Sequence, residues 1–178
     1  MRLFIAINLS EEAKEELKRI QKLIAKELGK FNLTNDYHLT LKFLGEVTPN
    51  IKDKLVENLK KIKFNDFDLS LNKISFFPDE NHIRVVWVGL KNNKPLIELQ
   101  SRIEEALKEF SFKKDFDFVP HLTLARVKFI ENKRQFLDKL NNLKVKEIKF
   151  DVKDFRLIES ILTKEGPVYR DLSVFGSS

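Results

Sequence analysis

The chain contains no cysteine, so disulfides and thiolate zinc sites are excluded at once. Glycine is scarce, at five of 178 residues, and no glycine-rich phosphate loop is hidden among them. No apolar run approaches membrane-spanning length. The longest near the amino end, Leu3 to Ile7, falls far short of the roughly 20 residues that a helix needs to cross a bilayer, and no signal-peptide cleavage pattern accompanies it. With a reducing compartment compatible with the missing cysteines, the expectation is a soluble cytoplasmic protein without a membrane partner. No linker rich in Gly, Pro or Ser divides the chain, and no segment is of low complexity. A single domain over residues 1–178 is expected.

What is present fits a packed globular protein: 42% hydrophobic residues, 16 of them phenylalanine. The net charge of +6 and the pI near 9.4 invite an anionic partner. Part of that charge has an ordinary explanation, since Lys14, Lys18, Lys22 and Lys26 alternate with glutamates on one solvated helix face.

Periodicity predicts a strand over Arg2 to Asn8, then a helix capped by Ser10, with Ala13, Leu17, Ile20, Ile24 and Leu28 as its buried stripe and Gly29 closing it. A strand ending near Gly45 leads to a second helix opened by Thr48-Pro49. Strands over Phe67 to Phe77 and Ile83 to Leu90 follow, then a helix from Pro95 to Phe110. Another strand, a short helix from Asn132 to Leu143 and two or three closing strands complete the order. The class is α+β, with antiparallel-rich sheets flanked by helices.

Only three histidines occur, and two of them open identical tetrapeptides, His38-Leu39-Thr40-Leu41 and His121-Leu122-Thr123-Leu124. Alternation puts His and Thr on one strand face and both leucines on the other. In each half of the chain a helix delivers the sequence into this strand and another helix follows, so a duplicated fold with one shared site is expected. Two imidazoles and two hydroxyls suit a small anion, above all a phosphate: hydroxyls donate to its non-bridging oxygens, one histidine takes a proton and the other gives one.

Nearby cations would stabilise the transition state. Lys42 shares the parity of His38 and Thr40 and is expected to point into the site. Arg126 has the opposite parity to His121 and Thr123, so its participation requires a bulge. Arg84, at the start of an otherwise apolar strand, is either an edge residue or an anion ligand. Phe43 and Trp87 are expected in the core, and Tyr37 and Phe118 are the stacking candidates. Asp36 is assigned to a turn and His82 to a loop outside the site. Two histidines without a third or an obvious carboxylate fall short of a usual metal ligand set, so neither metal nor cofactor is expected.

Tyr-His-Leu-Thr-Leu-Lys-Phe-Leu-Gly-Glu-Val (37–47) and Pro-His-Leu-Thr-Leu-Ala-Arg-Val (120–127) resemble the paired HxTx motifs of the two-histidine phosphoesterase superfamily. The opening Met-Arg-Leu-Phe-Ile-Ala-Ile, the Arg84-Val85-Val86-Trp87 strand and the late segment around Ser160, Leu162, Gly166, Pro167 and Tyr169 are similar to one branch, the LigT-like RNA 2′,3′-cyclic phosphodiesterases, also called 2′-5′ RNA ligases. The resemblance implies a bilobal, pseudo-two-fold fold of two interleaved lobes with the site in a central cleft. It also implies metal-independent opening of a 2′,3′-cyclic phosphate on RNA ends to a 2′-phosphate. His121 would be the general base and His38 the general acid, although a pseudo-symmetric pair could run either way. Thr40 and Thr123 would hold the phosphate, and Arg126 matches the family's arginine after the second motif. RNA ends or nucleotides bearing the cyclic phosphate are the implied substrates. Two other readings stand beside this one: 2′-5′ ligation of RNA halves by the same site, and a non-catalytic RNA-end binding module. A site built within one chain needs no partner subunit, so a monomer is expected.

Overall fold

A computed structural model describes residues 1–25, 28–114 and 117–178. The described elements are the strands β1 (Arg2–Asn8), β2 (Gly29–Leu33), β3 (His38–Glu46), β4 (Phe67–Asp79), β5 (His82–Lys91), β6 (Leu122–Ile130), β7 (Lys149–Val152), β8 (Asp154–Thr163) and β9 (Gly166–Gly176), and the helices α1 (Glu11–Ile24), α2 (Pro49–Leu59), α3 (Lys94–Ala106) and α4 (Lys133–Asn142). Two sheets result, one of four strands in the order β3-β1-β8-β9 and one of five in the order β2-β6-β5-β4-β7. Every pairing is antiparallel. Each of the two tetrapeptides lies in a different sheet. The α+β class expected from the sequence is the one observed.

The sheets share one core. Leu3, Ile5 and Ile7 of β1, Leu39 and Leu41 of β3, Val86 and Val88 of β5, Leu122 and Leu124 of β6, and Phe155 of β8 all belong to a single buried cluster. The helices cover it with the stripes that periodicity indicates: Leu17, Ile20 and Ile24 from α1, Leu55 and Leu59 from α2, Leu96, Leu99 and Ile103 from α3. Each fully buried side chain of this size stabilises by about 1.5–3 kcal/mol. None of the described helices is long and apolar enough to cross a membrane.

Helix α1 begins as the sequence indicates, the Ser10 hydroxyl accepting from the Ala13 amide at 3.2 Å. Its end differs. The helix stops at Ile24, and Gly29 opens β2, a strand that periodicity alone missed, instead of closing the helix. The reason is a close approach. Gly29 has φ +154°, and a Cβ there would lie 2.0 Å from the Phe129 carbonyl oxygen across the β2–β6 pair. Lys26 of the expected helix face lies outside the described residues. Thr48 sits at the N-cap of α2 but makes no capping bond with its side chain. Helix α3 ends at Ala106 and a separate 3-10 turn covers Lys108–Phe110.

Candidate active site

In both tetrapeptide strands the fourth residue is an extra one. Across β1, Ala6 pairs with Thr40 and Ile5 with Lys42, leaving Leu41 between them without a partner. Across β5, Trp87 pairs with Thr123 and Val86 with Ala125, leaving Leu124 over in the same way. A bulge of this kind resets the alternation by one residue. The outcome is the same in both strands. Lys42 and Ala125 turn into the interior, and Phe43 and Arg126 turn out on the side of Thr40 and Thr123.

This one distortion decides two expectations in opposite directions. Arg126, which needed a bulge to share the face of His121, has one. Lys42, expected in the site from strict parity, is 2% exposed. Its Nζ donates to Glu104 at 2.7 Å and to the Lys113 carbonyl at 2.8 Å, so it takes no part in lining the cleft.

Each imidazole lies between two aromatic rings. The His38 ring is 4.8 Å from Phe4 and 5.0 Å from Tyr169, the latter edge-on. The His121 ring is 5.1 Å from Phe77, also edge-on, and 5.8 Å from Trp87. Trp87 is therefore beside the site instead of in the core, on the face of Thr123, and its buried Nε1 has no acceptor among the described residues. Phe43 is likewise not a core residue: it is 66% exposed and 6.2 Å from Phe4. The stacking candidates fare the other way. Tyr37 is buried, its hydroxyl donating to Gln21, and burial pushes its pKa up to about 12. Phe118 packs partly buried against the core.

The two histidines differ electrostatically. Burial lowers the His38 pKa from 6.5, as does Lys14, while Asp36 and Asp171 act in the opposite sense. Asp171 is itself held by Arg156. His121 Nδ1 lies 2.8 Å from the Val119 carbonyl oxygen. A carbonyl only accepts, so the proton belongs on Nδ1, and the neutral ring keeps a free lone pair on Nε2.

Tyr169 lies beside the first motif. Its ring touches His38 on one side, and Arg126 and Arg2 both act on its hydroxyl to oppose the upward shift that burial causes. The side chains of Arg126, Arg2 and Arg84 make no ion pair or hydrogen bond with another described residue. Arg84 is exposed, the unpaired residue at a register break within the β4–β5 pair, and no described contact ties it to either histidine. Asp36 lies in a bend, as the sequence indicates; His82, expected in a loop, instead opens β5 opposite Asp79, where it is exposed. Thr40 and Thr123 are half-buried, and neither hydroxyl is engaged by another described residue. No group of three or more His, Asp or Glu side chains among the described residues is arranged to hold a metal ion.

Sequence reasoning passed over Phe4, Phe77 and Arg2. For Phe4 and Arg2 the signal was available: alternation along β1 places Arg2, Phe4 and Ala6 on one face, opposite the leucine and isoleucines of the core.

The architecture and the chain's relatives agree. An RNA 2′,3′-cyclic phosphodiesterase of Methanocaldococcus jannaschii is 39% identical over 171 residues, covering 95% of this chain and 96% of its own. A crystal structure from Thermus thermophilus superposes with a TM-score of 0.83 at 26% identity, covering 99% of this chain and 97% of that one. Escherichia coli LigT in complex with 3′-AMP gives 0.75 at 25% identity, with 99% and 98% covered. The family model for the 2′-5′ RNA ligase superfamily matches residues 11–162, a span that holds both tetrapeptides with their bulges. The chain belongs to the 2′-5′ RNA ligase superfamily.

Proposed function

We propose that this protein opens RNA 2′,3′-cyclic phosphate ends by hydrolysis, leaving a 2′-phosphate, with His121 and His38 as general base and general acid. The observation that carries the reading is the repeated bulge. In the second motif it sets Arg126 on the side of Thr123, as in the first it sets Phe43 on the side of Thr40, and Tyr169 lies edge-on to His38. The relative's activity and LigT's bound nucleotide supply the substrate class.

In this mechanism water attacks phosphorus while His121 Nε2 takes its proton, the Nδ1 proton being held on the Val119 carbonyl. The P–O3′ bond breaks as the new P–O bond forms, and His38 gives its proton to the departing O3′. The Thr40 and Thr123 hydroxyls donate to the non-bridging oxygens, and Arg126 offsets the charge that builds there. Burial shifts His38 toward its neutral form in the free protein. The bound phosphate anion restores its proton, so the acid is armed by its own substrate. With the 5′-hydroxyl of a second RNA attacking phosphorus in place of water, the same groups would open the cyclic phosphate into a 2′-5′ linkage, the P–O3′ bond breaking and O3′ taking the proton as before. The superfamily's name favours keeping that second reading.

The test is incubation with an RNA oligonucleotide ending in a 2′,3′-cyclic phosphate, followed by mass analysis of the terminus. A gain of one water as a 2′-phosphate is expected, reduced at least about a hundredfold in rate in His38→Ala and in His121→Ala. Near-normal turnover by His121→Ala would refute the mechanism, and an unchanged terminus with the unmutated protein would leave binding without turnover.

A further inference from the structure

Two buried polar clusters pass between the motifs through an otherwise apolar interior. In the first, Gln21 of α1 donates both amide hydrogens to main-chain carbonyls, at 2.7 Å to Thr34 just before the first motif and at 2.8 Å to Leu124, the extra residue of the second. Its Oε1 accepts from the Tyr37 hydroxyl at 2.7 Å, and Tyr37 immediately precedes His38. The Thr34 amide also donates to the Leu124 carbonyl, at 3.0 Å. In the second cluster Lys42, just beyond the first motif's extra residue, reaches the Lys113 carbonyl on the segment leading to the second motif, with Glu104 as counter-ion and Gln100 donating to Glu104 at 3.0 Å.

The amino-terminal flank of the first motif is thus tied to the carboxy-terminal flank of the second, and the reverse holds through Lys42. A two-fold relation between the motifs calls for this crossing pattern. The polar groups involved are deeply buried: Gln21 is 8% exposed, Tyr37 5%, Lys42 2% and Gln100 4%. The leucines of both tetrapeptides pack without directional preference, whereas a hydrogen bond fixes distance and angle. The proposed reaction needs the two imidazoles on opposite sides of one phosphorus, a geometry in which a displacement of about 1 Å costs on the order of a hundredfold in rate.

We propose that Gln21, Tyr37 and Lys42 are positioning residues, forming two polar clamps that set the spacing of His38 and His121 about a shared phosphate. The proposal rests on the two-histidine reading of the site.

The experiment uses the Gln21–Tyr37 clamp, where no charge is disturbed. Gln21→Met keeps length and apolar volume but removes three hydrogen bonds, and Tyr37→Phe removes one. Turnover of the cyclic phosphate end is expected to fall at least about tenfold in kcat for Gln21→Met, with KM changing less than about twofold because the phosphate-binding groups remain. Tyr37→Phe should lose less, and the double variant no more than Gln21→Met alone, since both act through one network. Thermal unfolding is followed in parallel. A lowered melting temperature with kcat retained would overturn the proposal and leave a structural role only.

A second readout does not depend on catalysis. In protein carrying 15N-labelled histidine, inorganic phosphate is expected to shift the titrations of His38 and His121 together, and in Gln21→Met to shift one without the other. If the unmutated protein lacks turnover yet shows the joint shift, the catalytic reading fails while the clamps stand. If phosphate moves neither histidine in the unmutated protein, the motifs do not share an anion and both readings fall. A joint shift retained in Gln21→Met overturns the clamps alone.

Discussion

Replacing Lys42 with methionine removes a charge from the interior without removing bulk, and the outcome can be worked out from its surroundings. Lys42 Nζ has two acceptors, a Glu104 oxygen at 2.7 Å and the Lys113 carbonyl at 2.8 Å, and its side chain is 1% exposed. Without it, Glu104 keeps, among the described residues, the amide of Gln100, and the slight solvent contact of a side chain that is 13% exposed. Breaking a buried pair from one side typically costs about 3–5 kcal/mol, most of it the price of the uncompensated partner. The remaining Gln100 bond and the partial exposure place this case near the lower end, at about 3 kcal/mol. For a chain of this length that corresponds to a melting temperature lower by roughly 6–12 °C, at about 2–4 °C per kcal/mol. The assay is urea unfolding followed by two probes, with an unchanged m-value as the condition for comparing midpoints. Lys42→Met combined with Glu104→Leu removes both charges, and because apolar replacement of a buried pair is often neutral, it should recover most of the loss. A single variant that costs less than about 1 kcal/mol, or a double variant as unstable as the single one, would refute the argument that Lys42 is the counter-ion on which buried Glu104 depends.

Other outcomes are as definite in direction. Burial holds the His38 pKa below 6.5 in the folded protein, so the unfolded chain binds the proton more readily, and stability should fall as the pH drops below 6.5. In His38→Gln that slope should flatten, as measured by unfolding midpoints across the range. The same depression predicts that the alkaline limb of kcat/KM lies at lower pH than that of kcat, since the bound anion raises the acid's pKa; coincident limbs would contradict substrate-assisted protonation. Activity should be unchanged in a chelator, because no described cluster of side chains is arranged for a metal, and a loss that zinc or magnesium reverses would overturn the two-histidine mechanism. Phe43→Ala should leave stability within about 0.5 kcal/mol, as befits an exposed site, while raising KM for RNA ends several-fold if the ring stacks a base, a contact worth about 1–3 kcal/mol.

The sequence carried most of the strands, the helices and the family, because hydrophobic alternation and a doubled tetrapeptide are local signals; β2 escaped it. It misjudged Lys42 and Phe43, and left Arg126 dependent on a bulge it could not see, for one physical reason. A bulge is a property of two paired strands, invisible in either one, and it reversed the faces of Lys42, Phe43 and Arg126 together. Trp87 was misplaced because an apolar strand buried on one side and lining a cleft on the other has the composition of a core strand on both. Tyr37 shows the converse: its position beside His38 pointed to the cleft, but its hydroxyl finds Gln21, sixteen residues earlier and on another element. Such a partner is set by tertiary packing and leaves no mark in local pattern.

The order of strands also has a consequence for how the protein is made. β1 lies between β3 and β8, pairing residues 2–6 with residues 156–160. β1 therefore leaves the ribosome about 150 residues ahead of the partner it waits for. During that interval Leu3, Phe4, Ile5 and Ile7 form an apolar strand with an open edge, the kind of segment that pairs with other chains. The five-stranded sheet draws its strands from residues 29–152 and can assemble earlier, so nascent chains stalled just beyond residue 152 should carry one finished sheet and one sticky strand.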